Sequence, residues 1–398
     1  MFTLSLRYFS HKTLISEGMT FKSLPLQKFT NLSTVQKLSL VKFAPKSGVS
    51  FYDALKARVD NYFTTNNIDV HGNASMKLKT IAMVSMYIIP YFFMVTGAGS
   101  ANLWIFYGLW LLMGVGMVGI GCSVMHDSNH GSYSTSKGLN KYLGKIIALV
   151  GGYEVNWRIQ HNILHHTYTN IEGLDHDLDA GGLLRFSPHA PRAKAHRFQH
   201  IYAWFLYGLL TFQWATIKDF KQVNDYAKLD LLKKEKLTRK QALLQVTMYK
   251  LFYYSYILVL PLFFAGVEWY HVLAGFFVMH FVAGLALSTI FQLAHVMEEC
   301  EFPVPGDDRK MENNWAVHQM LNTANFSPKS RIMAWFIGGL NHQIEHHLFP
   351  HICHVHYKKV AKIVKSTAKE YGLPYYEQRT FVSALIEHGR MLRKLGKA

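Results

Sequence analysis

Cysteine is scarce in this chain of 398 residues, which contains only Cys122, Cys300 and Cys353. An odd and scattered set of this kind excludes a disulfide framework as the basis of the fold. We also expect no secretory signal, because residues 1–36 are poor in acids and contain no compact apolar core followed by a small-residue cleavage site. A transit peptide, or a start site placed too far upstream with Met19 as the true start, stays open.

Basic residues are missing from two long stretches, 80–136 and 251–308, although the chain has 42 Lys and Arg and a formal net charge of +17. The turns predicted at 97–101 and 266–269 therefore carry no positive charge. By the positive-inside rule, the side of the membrane that holds all the Lys and Arg is the cytoplasm. The charge thus indicates loops that face anionic lipid, and we expect no nucleic-acid partner.

Apolar residues make up 50% of the chain and are concentrated in segments long enough to cross a bilayer core of about 30 Å. The predicted spans are about 80–98, 101–125, 248–266 and 269–291. Residues 201–217 are also uncharged, but as a span they would separate the second and third histidine clusters described below. We therefore assign them to the membrane interface, which favours Trp and Tyr.

These patterns predict an all-α, multi-pass integral membrane protein with four transmembrane helices in two hairpins. Both termini and a helical cap built from the loops are expected in the cytoplasm. Residues 1–40 are expected to be a poorly ordered N-terminal extension, and 41–398 a single domain. An amphipathic helix is predicted from Ser50 to Asn66, lying on the membrane before the first span. Another is predicted to end at Gly372.

Histidine is abundant, with 22 residues, and three clusters stand out: HDSNH at 126–130, HNILHH at 161–166 and QIEHH at 343–347. Residues four apart on a helix share a face, with Cβ atoms about 5–6 Å apart. The pairs in the first two clusters can therefore each direct two imidazoles at one ion. The doubled histidines that end the second and third clusters can serve two neighbouring ions.

Eight or nine imidazoles exceed the need of one metal ion, so the clusters favour a pair of ions in the cytosolic cap. Neutral imidazole suits iron, zinc and copper, and zinc alone cannot transfer electrons. A single pair of histidines four apart is weak evidence. Three clusters on one side of a four-span protein are much stronger evidence for a metal centre.

The three clusters, in this order, resemble the membrane fatty acid desaturases. The likeness lies in HDSNH, HNILHH with TYTN following, and NHQIEHHLFP, and it includes WAVHQMLNTANFSP at 315–328 and PHICHVHY at 350–357. The Gln that opens the third cluster is similar to the front-end, or linoleoyl-CoA desaturase-like, branch. The resemblance implies that 41–398 is a fatty acid desaturase domain that introduces a cis double bond into an acyl-CoA or acyl-lipid, with delta-6-like regioselectivity as one option.

The resemblance also implies two iron ions, with dioxygen as the co-substrate. The implied ligands are His126, His130, His161, His165, His166, His295, His346 and His347. Gln343 occupies a position where many relatives have His, and His342, one residue earlier, is the alternative ligand. No catalytic residue is expected beyond the metal ligands.

Other polar residues lie beside the clusters. Ligating histidines usually donate their second N–H to a carboxylate or carbonyl, and we expect Asp175 and Asp179 to accept these bonds. Trp157 and Arg158 precede the second cluster and are predicted to meet the head group of the substrate, with an ordinary interfacial Trp–Arg pair as the alternative.

Front-end relatives often carry an N-terminal cytochrome b5 domain, but the chain has no His-Pro-Gly-Gly haem motif. We expect electrons to come from a separate ferredoxin or cytochrome b5, which basic patches such as 233–240 could dock. Two other functions stay open. A hydroxylase or ketolase could use similar histidines, whereas a metal-binding or metal-transport protein would place such groups inside the spans, where only His280 lies.

Overall fold

The computed structural model of the chain describes residues 41–45, 48, 50–306 and 308–397, and this part is almost entirely helical. Four helices are long and apolar enough to cross a membrane: Ala74–Val95, Leu103–His130, Arg239–Phe264 and Trp269–His295. The predicted all-α fold class and the number of candidate spans are confirmed. The extension predicted for 1–40 lies outside the described residues.

The spans begin and end at other residues than the hydropathy pattern predicts, because helix ends follow capping groups rather than the last apolar residue. The first span begins at Ala74, where the Asn73 side chain accepts from the Met76 amide (3.3 Å). A capping box at Thr238 starts the third span. The second span continues past its apolar part to His130 and so includes the first histidine cluster.

Shorter elements complete the fold. The further α-helices are Phe51–Thr65, Lys137–Gly144, Glu154–Trp157, His166–Tyr168, Gln199–Gly208, Leu210–Gln213, Asp219–Lys228, Trp315–Asn322, Arg331–Phe336, Gln343–Leu348, Tyr357–Glu370 and Phe381–Lys397. The 3-10 helices are Lys145–Val150, Lys194–Phe198, Leu231–Glu235 and His354–His356, and the π-helical segments are Ile120–Met125, Arg158–His165, Trp214–Lys218 and Ser255–Val259. Two short strands, Asn325–Phe326 and Glu377–Gln378, pair in parallel.

Small residues let the second span pack closely on its neighbours. A Cβ added at Gly114 would lie 2.8 Å from the Met279 carbonyl oxygen in the fourth span, and one at Gly116 would lie 2.8 Å from the Tyr87 amide nitrogen in the first. Close backbone approach at small residues is how helices associate in lipid, where apolar surface alone provides little driving force. Large side chains such as Trp104 and Phe263 project outwards and are mostly exposed.

The uncharged segment 201–217 is not one of the four long apolar helices. It is divided among Gln199–Gly208, Leu210–Gln213 and the start of a π-helical segment, and it packs along the fourth span. Thr211 donates to the carbonyl of His280 (2.7 Å).

The amphipathic helix predicted from Ser50 forms as Phe51–Thr65, with Ser50 accepting from the Asp53 amide (3.3 Å). Its predicted position on the membrane is wrong. The apolar face, which includes Leu55 and Val59, is buried in a cluster with Val360 and Val364 of the helix Tyr357–Glu370. Two amphipathic faces cover each other here, so neither needs lipid to remove its apolar surface from water.

Candidate metal centre

Both early histidine clusters are associated with π-helical segments. His126 and His130 lie in the α-helical turn that follows Ile120–Met125, while His161 and His165 lie within Arg158–His165. Such segments interrupt the regular α-helical pattern and frequently occur at functional sites. The third cluster begins the short helix Gln343–Leu348.

Four of the histidines form what we call the first histidine group, whose ligand atoms all lie within 4.8 Å of one another. Its members are His126, His130, His161 and His346. His166 adjoins this group, since its Nε2 lies 3.0 Å from Nε2 of His346 and 3.2 Å from Nε2 of His161.

The second histidine group consists of His165, His295 and His347, whose ligand atoms also lie within 4.8 Å of one another. His166 lies between the two groups, with its ring centroid 4.6 Å from that of His346 and 4.5 Å from that of His347. The structure therefore brings all eight histidines that were predicted as ligands into one cluster, in which seven are buried and His130 is half-buried.

The cluster fits metal ions because many of its imidazole nitrogens have no other partner. Within this cluster, five buried Nε2 atoms lack a hydrogen bond to any described residue: those of His126, His130, His165, His295 and His347. Each unsatisfied buried polar group costs about 1–3 kcal/mol, so several converging on one place indicate a missing ligand. Burial lowers the pKa of His161 to about 4 and also lowers those of His166, His346 and His347. The neutral imidazoles that result are the form that binds metal.

Carboxylates fix the second nitrogen of two histidines in the 161–166 cluster. Asp175 accepts from Nδ1 of His165 (2.9 Å), and Asp177 accepts from Nδ1 of His161 (2.7 Å). The role predicted for Asp179 falls to Asp177 instead, because Asp179 is exposed and accepts from the backbone amide of Gly181 (2.8 Å). These bonds leave the Nε2 lone pairs directed at the centre.

Uncharged groups lie beside the Nδ1 atoms of three other histidines and fix those nitrogens in the same way. Gln319 Oε1 lies 2.8 Å from Nδ1 of His347, and the Tyr357 hydroxyl lies 3.1 Å from Nδ1 of His346. The carbonyl of Asn322 lies 3.3 Å from Nδ1 of His295. None of these three partners was predicted from the sequence. Gln319 and Asn322 nevertheless lie three residues apart in the motif 315–328, which carries part of the family resemblance.

His342 belongs to neither histidine group among the described residues, and Gln343 is an amide, outside the residue types (His, Cys, Asp and Glu) that define them. Both ring nitrogens of His342 and Nε2 of Gln343 are buried, and none has a hydrogen-bond partner in the described part of the chain. The Nδ1 atom of His342 lies 3.7 Å from a Glu345 carboxylate oxygen. The choice between the two residues therefore stays a prediction.

The side chains of Trp157 and Arg158 contact different parts of the protein. The Trp157 ring packs 4.6 Å from that of His161 and lines a cavity of about 370 Å³. Arg158 is held instead by an ion pair with Glu235 and by a bond to Asn129 Oδ1 (3.2 Å). Among the described residues, Trp157 is thus a wall of this cavity and Arg158 is not.

The cavity leads from the surface to the first histidine group. His161 and Trp157 line it, most of its exposed lining is apolar, and polar residues such as Lys218 and Gln222 also contribute. A largely apolar cavity beside the histidine cluster suits an acyl chain whose polar end stays near the water.

His280, which lies near the middle of the fourth span, has a hydrogen-bond partner at each ring nitrogen. Its Nε2 lies 2.7 Å from the Tyr253 hydroxyl and its Nδ1 lies 3.0 Å from Thr211 Oγ1. A histidine whose two nitrogens are both occupied in this way offers no ion path.

The family model described as fatty acid desaturase matches residues 102–379, which include all three histidine clusters. The chain belongs to this family, as its sequence pattern predicts, and is a fatty acid desaturase. It is 35% identical over 369 residues to the sn-1 linoleoyl-lipid 6-desaturase of Synechocystis sp., covering 90% of this chain and 98% of that relative. The protein of the same name from Arthrospira platensis is 32% identical, with 91% and 96% covered. An acyl-lipid (8-3)-desaturase from Physcomitrium patens is 34% identical, with 90% and 74% covered.

Proposed function

We propose that this enzyme introduces a cis double bond into an acyl chain of a membrane lipid, at a position counted from the carboxyl end. The substrate class and the delta-6-like position are taken from relatives whose names specify linoleoyl-lipid and the 6-position. The reaction removes two hydrogens from adjacent methylenes while dioxygen, two electrons and two protons become two waters.

The observation that carries the mechanism is the convergence of eight histidines, five of which have a buried Nε2 without a partner among the described residues. In our proposal the first histidine group holds one iron, the second histidine group holds the other, and His166 lies between them. Iron bound here supplies the one-electron chemistry that reduces dioxygen and makes removal of an unactivated hydrogen possible. Asp175, Asp177 and Gln319 orient the ligands through their Nδ1 atoms.

The protein then determines which carbon–carbon bond reaches the centre. Trp157 and Phe291 line the cavity together with His161, so an apolar chain in it passes beside the first histidine group. Burial of the cluster excludes water from the reacting carbons. Lys218 lines the same cavity and supplies a cation for the polar end of the substrate.

The proposed topology is two hairpins, with 41–398 as one desaturase domain and the histidine cluster and both termini in the cytoplasm. It rests on the distribution of Lys and Arg. Reporters fused after Lys137 and Lys233 should both be cytoplasmic, and one at Gly99 should not. A Lys233 fusion on the opposite side would contradict this topology. The electrons are proposed to come from a separate ferredoxin or cytochrome b5.

Expression in a host with a simple fatty acid profile tests the function. Cells fed linoleate and α-linolenate should contain products with one additional cis double bond, and gas chromatography with double-bond mapping locates it. His161→Ala, expressed in the membrane at the wild-type level, is the inactive control. Hydroxy or keto products from the wild type would contradict desaturation as the reaction, and a bond placed beyond the existing double bonds would contradict the front-end position.

A further inference from the structure

A chain of four side chains connects the first span to the first histidine group. Nζ of Lys79 lies 2.6 Å from Nε2 of His354, and Nδ1 of His354 lies 2.8 Å from Asp127 Oδ2. Asp127 Oδ1 in turn lies 3.4 Å from Nδ1 of His126. All four residues are buried, although Lys79 and His354 belong to regions far apart in sequence.

The direction of these hydrogen bonds follows from the donors available. A lysine ammonium can only donate, so Nε2 of His354 accepts and the ring proton lies on Nδ1, which donates to Asp127. The backbone amide of His354 donates to the same carboxylate oxygen (3.2 Å). The other oxygen is then free to accept from Nδ1 of His126, which leaves the Nε2 lone pair of His126 without a partner among the described residues.

We propose that Lys79 and His354 are positioning residues of the metal centre, which fix the tautomer and orientation of His126 through Asp127. The inference rests on the proposed metal centre. Lys79 supplies the positive charge that a buried carboxylate requires, since an uncompensated buried charge is strongly destabilising. Asp127, Cys353 and His354 could by themselves hold a cation, but the ammonium group of Lys79 occupies that role in the structure.

Metal affinity tests this assignment without relying on turnover. The full-length protein is loaded anaerobically with ferrous iron or cobalt(II), and ions per chain, affinity by chelator competition and the cobalt absorption bands are measured. Lys79→Met and His354→Leu are expected to bind metal about 10–100-fold more weakly, as is typical when an outer partner of a ligating histidine is lost. They should also lower kcat with little change in KM. Lys79→Arg should restore most of the affinity, and the exposed Lys77→Met is the matched control.

The outcomes separate this inference from the proposed function. A wild type that binds no metal contradicts the centre itself. A wild type with two ions, together with Lys79→Met and His354→Leu of unchanged affinity, contradicts only the roles of Lys79 and His354. If either variant fails to accumulate in the membrane, the metal affinity of His354→Gln tests the proposal instead, because its amide can accept from Lys79 and donate to Asp127. Near wild-type affinity is expected for it, and a loss as large as that of other outer-partner variants would contradict the proposal.

A second, independent observation concerns a basic cavity of about 460 Å³ between the segment 192–201 and the C-terminal helix. Arg192, Arg197, Arg393 and Lys397 line it, and none of the acidic side chains that the structure describes does. Arg192 is partly engaged, since its Nε donates to the carbonyl of Gly396 (3.0 Å). The other three basic residues are exposed.

An exposed apolar stripe adjoins this cavity. Phe198, Ile201 and Phe205 lie on one side of the segment and are all more than half exposed. The ring of Phe205 lies 5.7 Å from that of Phe281 in the fourth span, so the stripe continues onto the surface that faces lipid. An exposed apolar surface beside clustered cations is the arrangement of segments that lie at a membrane interface, where the cations meet lipid head groups.

We infer that this cavity binds the phosphate head group of an anionic phospholipid, with its acyl chains against the apolar stripe. Charge complementarity favours this occupant, because three exposed cations converge without an acid. It is distinct from the cavity at the histidine cluster, with which it shares no lining residue.

Native mass spectrometry of the full-length protein tests this site by counting phosphatidylglycerol and phosphatidylcholine molecules retained from mixed micelles. Wild type should retain one phosphatidylglycerol more than Arg197→Gln/Arg393→Gln, whose affinity should fall about thirty-fold, since each basic residue near an anionic surface contributes a factor of about five. Lys234→Gln/Lys240→Gln removes the same charge elsewhere and should behave as wild type. Equal retention in both double variants, equal retention of the two lipids, or displacement by inorganic phosphate at similar concentration would overturn the assignment.

Discussion

The two histidine groups differ in what holds their imidazoles. In the first histidine group, His126 and His161 have carboxylate partners, and a buried lysine compensates one of these through His354. In the second, only His165 has a carboxylate, while His347 and His295 rely on an amide and a backbone carbonyl. A carboxylate makes an imidazole a stronger ligand than a neutral acceptor does. We therefore expect the first histidine group to hold its ion more tightly.

Removing a ligand from either group should have the largest effect. His161→Ala and His347→Ala should each abolish product, because each removes an imidazole that turnover requires in our mechanism. Gas chromatography of fatty acids, normalised to protein in the membrane, measures this. His71→Ala is the control, since His71 pairs with the exposed Asp69 instead. Wild-type product in either variant would refute that histidine as a ligand.

Removing the carboxylate beside a ligating histidine should have the next largest effect. It should also distinguish the two histidine groups by their iron content. Asp177→Asn and Asp175→Asn should each weaken one ion by about 10–100-fold, so elemental analysis after mild chelation should give close to one iron per chain. Asp179→Asn is the matched control and should retain both ions, because Asp179 bonds only the Gly181 amide among the contacts found. Loss of iron in Asp179→Asn comparable to the other two would contradict the assignment of Asp177.

Loss of the uncharged amide that contacts the second histidine group should have a smaller effect on metal affinity. Gln319→Leu removes the acceptor of His347 Nδ1 and should lower metal affinity by about ten-fold, the lower end of the range for such partners. Chelator competition measures this against the exposed Gln241→Leu. A loss larger than that of Asp175→Asn would mean that the amide, not the carboxylate, dominates this group.

The smallest effects on metal content are expected at His342, which belongs to neither group, and at Gln343, whose amide is a poorer iron ligand than imidazole. Both alanine variants should retain two irons. We expect Gln343→Ala to reduce turnover more than His342→Ala, and Gln343→His to keep substantial activity. Loss of one iron in folded His342→Ala, with normal iron in Gln343→Ala, would reverse this order.

The family and seven of the eight histidines were predictable because short, fixed spacings in the sequence carry them, whereas His295 was expected only from the family resemblance. The partners of those histidines were harder to predict, since they come from loops and distant helices. Asp177 and Asp179 lie two residues apart, so the sequence did not show which of them would contact a histidine. In the structure, Asp179 accepts from the Gly181 amide instead. The packing of Phe51–Thr65 was mispredicted because an amphipathic pattern shows that a face will be buried, but not whether lipid or protein covers it.

Gly114 affects the distance between the two histidine groups. His126 and His295 are carried on the second and fourth spans, and Gly114 lies about 18 Å along its helix from His126 at 1.5 Å per residue. A methyl group at Gly114 would meet the backbone of Met279, so the two helices would have to separate. The packing of these two helices thus sets the distance between His126 and His295. In the proposed mechanism, a change made in the middle of the bilayer is therefore expected to alter the chemistry at its surface.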